Sequence, residues 1–193
     1  MKHPDHIDGQ RVRLHPATLE DRQQIYQALA RSDLTDILLG HPSQDYTPLL
    51  SYEAFCDDYK QYYFDDSNPE GGRCFVIEVD GQAIGQVNYN DIERDKNRTE
   101  LDIWMFAEHH CGHGYGSEAL RLLCDYLRSQ FNVEGFYIKP SASNPRAIRA
   151  YEKAGFRRSA LSAEEAQVEY GEKDSIDTVY MTRNIEQSVP GDA

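Results

Sequence analysis

The segment Asn144 to Phe156, NPRAIRAYEKAGF, carries a start and a stop for one short helix. Asn144 is a good N-cap, because its side-chain oxygen reaches a first-turn amide that has no intrahelical partner. Pro145 suits the first helical position, where its missing N–H costs nothing. Gly155 tolerates the left-handed backbone that ends a helix, and Phe156 after it is placed to fold back onto the last turn. Ala147, Ile148, Tyr151 and Ala154 share one face. The run GFYI (135–138) just before it reads as a strand. A fold for this chain must therefore seat a short helix of fixed length directly after a strand.

A second constraint lies upstream. LDIWMF (101–106) reads as a strand, and Gly112-His113-Gly114-Tyr115-Gly116-Ser117 follows it and opens a helix expected over Ser117 to Ser129. That helix carries Ala119, Leu120, Leu123, Tyr126 and Leu127 on an apolar stripe. Glycines let the backbone reach positive φ and come close to a ligand. The unpaired N–H groups at a helix start, with the helix dipole, favour an anion such as a diphosphate. The same glycines also suit a plain turn. The pattern is neither G-x-G-x-x-G nor a loop ending Gly-Lys-Ser/Thr.

The remaining elements alternate. Arg11 to His15 reads as a strand, and a helix follows Thr18, whose spacing to Asp21 resembles a capping box. A loop runs through Gly40-His41-Pro42. Ser51 to Phe64 reads as one helix rich in aromatics (Tyr52, Phe55, Tyr59, Tyr62, Tyr63), which suit either packing on a sheet or walling a substrate pocket. Residues 74–79 and 82–90 form a hairpin about Asp80-Gly81, 91–98 a charged turn, and 178–183 a last strand. This order implies a mixed α/β layer, not repeated βαβ units. The 193 residues suit one domain, expected over 10–186, with 1–9 and 187–193 as flexible ends.

The net charge of -13 argues against nucleic acid as a partner. It suits steering of a cationic substrate, and solubility alone accounts for it more simply. No apolar run approaches the roughly 20 residues that span a bilayer, and the first residues lack the apolar core of a secretory signal. A cytoplasmic location and no membrane partner are expected. Cys56, Cys74, Cys111 and Cys124 are widely spaced and read as free thiols. His109, His110, Cys111 and His113 crowd together without a spaced second pair, so no metal is expected. Oligomeric state is not legible at this level.

The pattern N-x-x-A-x-x-x-Y-x-K-x-G-F at Asn144–Phe156 resembles the C-terminal acetyl-CoA-binding motif of the GNAT superfamily of N-acetyltransferases. G-x-G-x-G after a strand resembles that family's pyrophosphate loop, though Cys111 stands where the family commonly has Arg or Gln. The longer run PSASNPRAIRAYEKAGFRR is similar to the matching stretch of aminoglycoside 6'-N-acetyltransferases. The resemblance covers about residues 99–183. It implies a GNAT fold, an α/β (α+β) architecture with a mixed central sheet, a splayed strand before the pyrophosphate loop, and flanking helices. It also implies acetyl-CoA as cosubstrate and direct attack by an amine, without an acyl-enzyme.

By this resemblance Cys111, Gly112, His113, Gly114, Tyr115, Gly116 and Ser117 would hold the pyrophosphate, and Asn144 and Ala147 the pantetheine arm. The amide of Phe106 or a neighbour would face the thioester, where an oxyanion develops. Tyr151 would be the general acid for the departing thiolate. Strand alternation puts Asp102, Trp104 and Phe106 on one face. A buried acid there is costly unless paired, which a salt bridge across the sheet would also satisfy, and Asp102 lies ten residues before Gly112, where the aminoglycoside enzymes have an aspartate. It would hold the substrate ammonium and accept a proton, although a free Asp of pKa near ~3.9 is a weak base unless burial raises it. Trp104 and Glu100 join it as substrate-binding candidates, with Asp91 and the acids of 164–177 nearby. Lys139 stands where those enzymes tend to carry an acid, and would repel a polycation if it faced the pocket. The acceptors implied are an aminoglycoside or other polyamine, with a siderophore hydroxylysine or a protein N-terminus as alternatives. A non-catalytic acyl-CoA-binding sensor is the reading of another class.

Overall fold

The computed structural model describes residues 3–39, 51–171 and 177–184. Its centre is the expected hairpin, in which β3 (Arg73–Val79) and β4 (Gln82–Tyr89) turn through Asp80 and Gly81, both at positive φ. β2 (Arg13–Pro16) and β1 (Ile7–Asp8) extend the sheet on one side. On the other lie β5 (Arg98–Met105), β6 (Gly135–Ile138), β8 (Met181–Asn184) and β7 (Arg157–Arg158). The order is β1-β2-β3-β4-β5-β6-β8-β7. Every neighbouring pair is antiparallel except β5 and β6, which are parallel. The helices are α1 (Arg22–Arg31), α2 (Thr35–Leu39), α3 (Tyr52–Asp58), α4 (Tyr115–Phe131), α5 (Pro145–Lys153) and α6 (Ala163–Tyr170).

Strand alternation sorts the sheet into two faces. Phe75, Ile77, Val87, Tyr89, Leu101 and Met105 pack with the apolar stripe of α4 and with Ile148 and Tyr151 of α5. Cys74, Val76 and Trp104 face α1, α3 and the turn after α3 through Ile25, Leu29, Phe55 and Tyr63. The four cysteines are unlinked, as expected.

The feature that positions the site is a parting of strands. β5 stays in register with β4 from Leu101↔Tyr89 to Met105↔Gly85. Its pairing with β6 stops at Glu100↔Tyr137. The last part of β5 therefore borders a wedge, as the splayed strand required. The register with β4 is unbroken here, and the irregularity in this part of the sheet lies between β3 and β4 at Ile77/Glu78.

Several expectations need correction. The helix expected over Ser51–Phe64 breaks after Asp58 and resumes as a 3-10 turn over Gln61–Phe64. Arg22 of α1 donates to the carbonyls of Cys56 and Tyr59, and a cation on the last carbonyls ends the helix there. The helix after Thr18 starts later than its cap suggests. The Asp21 carboxylate accepts from the Thr18 amide at 2.7 Å, and helical structure begins at Arg22. Residues 3–9 are not loose. Ile7 and Asp8 pair with Leu14 and Arg13, and His3 is buried, its ring nitrogens 2.8 Å from Asp66 and 3.0 Å from the Tyr89 hydroxyl. Polar composition suggested fraying, whereas side-chain partners remote in sequence hold the segment. α2, α6 and β7 were not anticipated, and the last strand begins at Met181 instead of 178. The Gly40–Pro42 loop and the tail 187–193 lie outside the described residues.

Candidate active site

The glycine turn does what its composition requires. Gly112 and Gly114 take φ of 82° and 84°, a backbone that L side chains rarely adopt. Gly114 caps α4 with no side-chain hydrogen bond. The first-turn amides of Tyr115, Gly116 and Ser117 thus lie at an uncapped, positive helix end. They border a groove of about 330 Å³ between the wedge side of β5 and α5. Cys111, Gly112, Asn144, Ala147 and Tyr151 line the same groove.

α5 matches its sequence signals closely. Asn144 Oδ1 accepts from the Ala147 amide at 3.1 Å. At the other end the Phe156 amide donates to Tyr151 O and the Gly155 amide to Glu152 O, the paired bonds of a Schellman stop. The Phe156 ring returns to 6.5 Å from the Tyr151 ring. The C-terminal stop of the helix therefore also fixes Tyr151.

Other predicted residues behave differently. The Phe106 amide is spent on Ile84 O at 2.9 Å, so it does not face the wedge. Bonds alternate along an antiparallel strand, and Asn90 also donates to Glu100 O on that side. The backbone groups of Ile103 and Met105 therefore point into the wedge, and both residues line the groove. His113 does not line it; its ring Nε2 lies 3.1 Å from His109 O. The Ser117 hydroxyl donates to Ala150 O at 2.7 Å and ties α4 to α5. The Cys111 Sγ lies 3.8 Å from Ala107 O, and burial pushes its thiol pKa up, which disfavours the thiolate a nucleophile needs.

Four cations were not anticipated. Arg146, Arg149 and Lys153 of α5 line the groove, so an acidic protein presents positive charge there. Arg146 is also held by Glu108. Arg11 reaches over from the far end of the chain. Its Nη1 donates to His113 O at 2.9 Å, its Nε to Glu118 Oε2 at 2.9 Å, and its guanidinium lies 5.3 Å from the Tyr115 ring centre. It braces the glycine turn. Arg11→Ala is expected to raise KM for acetyl-CoA about tenfold, ~1.4 kcal/mol, with kcat nearly unchanged in steady-state assays.

Glu118 completes the brace. Burial raises its pKa, but the amides of Arg11 and Val12 and the Arg11 guanidinium outweigh that and leave it below the ordinary value. A depressed carboxylate stabilises the fold fully above its unfolded pKa of about 4.3 and loses that contribution as pH falls through the folded value. Glu118→Gln should lower the urea midpoint at neutral pH and flatten its decline toward acid.

The predicted acceptor residue Asp102 lies on the opposite face of β5. Asp102 Oδ2 accepts from Asn90 Nδ2 at 3.1 Å and more weakly from Asn88 Nδ2 at 3.4 Å. Gln86 donates to Asn88 at 3.1 Å, and the Tyr63 hydroxyl to Asn90 at 3.0 Å. Gln86 and Asn88 are fully buried, so a polar stripe runs beneath Tyr59 and Tyr63, which follow α3. Burial first, then the Asp102 charge, holds the Tyr59 and Tyr151 hydroxyls protonated well above the ordinary tyrosine range. Tyr151 and Asp102 are thus electrostatically linked. Glu100, a predicted substrate anchor, pairs with Lys139 at 3.0 Å, which offsets the charge of both side chains. Asp91 is exposed, and the α6 acids serve locally: Glu165 caps its helix, and Glu169 pairs with Arg98 and Lys96. Residues 172–176 lie outside the described residues. Among those described, no three His, Cys, Asp or Glu side chains gather as a metal site, and no helix is long and apolar enough to cross a membrane.

A splayed strand, an uncapped glycine turn at a helix start, and a tyrosine in the wedge between them define an acyl-CoA N-acyltransferase fold. The chain belongs to that family: the Acetyltransferase (GNAT) domain matches residues 11–157. It is 29% identical over 148 residues to the spermidine N(1)-acetyltransferase of Escherichia coli (strain K12), covering 75% of this chain and 72% of that one. It is 27% identical over 157 residues to the aminoglycoside N(6')-acetyltransferase type 1 of Klebsiella pneumoniae, covering 76% and 74%. A solved structure of AAC(6')-Ib in complex with Parmomycin and AcetylCoA aligns with a TM-score of 0.69 at 23% identity, over 95% of this chain and 99% of that one. That likeness concerns the fold.

Proposed function

We propose that this chain, as a single domain over 10–186, transfers acetyl from acetyl-CoA to a primary amine of a small polyamine or aminoglycoside. The observation that carries the reading is the groove itself, which brings the uncapped start of α4, the wedge side of β5 and Tyr151 together, with Asp102 in the polar stripe on the other face of that strand. Acetyl-CoA suits the residues present: the uncapped start of α4 would receive its pyrophosphate, and Arg149 and Lys153 line the same groove. It supplies an activated acetyl thioester. The chain supplies the rest. The wedge-facing amides of Ile103 and Met105 would polarise a carbonyl. Tyr151 keeps a proton at Oη for a departing thiolate. Asp102 would hold an acceptor ammonium, and Asn88 and Asn90 set its orientation. Both curated relatives named above acetylate polycations by name, and the pairing of Lys139 with Glu100 leaves that class open.

The test is release of free thiol from acetyl-CoA with spermidine, a kanamycin-type aminoglycoside, hydroxylysine and N-terminal peptides side by side. Turnover is expected with the first two. Binding of CoA without turnover on any amine would favour a sensor instead.

A further inference from the structure

On the acceptor face two buried polar atoms have no hydrogen-bond partner among the described residues: Trp104 Nε1 and Gln86 Oε1. Gln86 is fully buried and Trp104 is 6% exposed. The two residues are direct cross-strand partners on β4 and β5, so their Cβ atoms lie roughly 5 Å apart on one face. Unpaired groups of this kind are costly, and native interiors rarely keep them.

The Gln86 amide is not free to turn over. A carboxylate only accepts, so Asn88 and Asn90 must present nitrogen to Asp102. Asn88 then shows its oxygen to Gln86, which must answer with Nε2, at 3.1 Å. Gln86 Oε1 is left over. Trp104 Nε1–H can only donate. A donor and an acceptor thus stand side by side without meeting. Trp104 lines the groove wall and lies two residues along β5 from Asp102, about 7 Å.

We propose that Gln86 and Trp104 form a hydroxyl-reading pair in the acceptor site, selecting amines that carry a hydroxyl several bonds from the reacting nitrogen, as amino sugars do. The proposal rests on the N-acetyltransferase reading above. A hydroxyl accepts from Trp104 and donates to Gln86 at once. An ammonium only donates, so a linear polyamine would leave Trp104 unpaired. Tyr59 covers the pair, edge-on to Trp104 at 5.7 Å, and its hydroxyl rests on Asn88 at 3.5 Å, the limit of a hydrogen bond.

The experiment compares matched acceptors by thiol release: kanamycin B and its analogue lacking two hydroxyls on the amine-bearing ring, with spermidine alongside. Trp104→Phe removes the N–H and keeps a ring against Tyr59. Wild type should favour the hydroxylated member about tenfold or more in kcat/KM. Trp104→Phe should bring the ratio near one by lowering kcat/KM on that member about tenfold more than on its analogue. Should the variant fail to fold, the wild-type ratio decides. Equal kcat/KM on both members, or equal losses in the variant, would mean that water or a neighbouring group fills the pair and would overturn the proposal. No thiol release with any amine is a separate result: it overturns the transferase reading, and the pair with it.

Discussion

Replacing Tyr151 with phenylalanine should lower kcat by about 100- to 1000-fold and leave coenzyme A affinity nearly unchanged. The ring is placed by its own helix stop, through the Tyr151 carbonyl and the packing of Phe156, and phenylalanine keeps both contacts. What is lost is one hydroxyl proton. Burial and the Asp102 charge hold that proton well beyond the ordinary tyrosine range, so the donor form persists across neutral and mildly basic pH. Wild-type kcat should therefore show no loss from Tyr151 ionisation up to the ordinary tyrosine pKa of about 10. The check is kcat across pH beside calorimetric CoA binding. A variant that retains wild-type kcat would remove Tyr151 from the chemistry.

Asp102→Asn should reduce kcat/KM for the amine by about 100-fold or more, with KM for acetyl-CoA unaffected. The change is nearly isosteric. Its oxygen can still meet Asn88 and Asn90, but its amide then turns a donor toward an ammonium that needs an acceptor. Anchoring and any proton acceptance fail together. Separate acetyl-CoA and amine titrations distinguish this from general damage: loss confined to acetyl-CoA would place Asp102 outside the acceptor site.

The polar stripe explains why the proposed acceptor site was harder to read than the proposed cosubstrate groove. Gln86, Asn88 and Asn90 alternate with apolar residues, a pattern that ordinarily marks a strand face turned to water. Here Tyr59 and Tyr63, just after α3, cover it. Alternation gives the face of each side chain, not what lies on that face. The same limit applies to Phe106. Sequence placed it on the right strand, but the bonding parity set by β4 spends its amide on Ile84. Lys139 was legible as a departure from the family, while its neutralisation by Glu100 required knowing that β5 and β6 lie side by side.

The α5 helix with its cap and stop, the glycine turn opening α4, the β3–β4 hairpin and the two faces of β5 were all legible in the chain. Each depends on bonds or periodicities that close within a few residues, so the local order of amino acids suffices. The wedge beyond Glu100, the amides that face it, the Arg11 brace on a loop a hundred residues away and the burial of the Gln86–Asn90 stripe were not. Those depend on register and contact between segments remote in sequence, which exist only once the sheet has assembled.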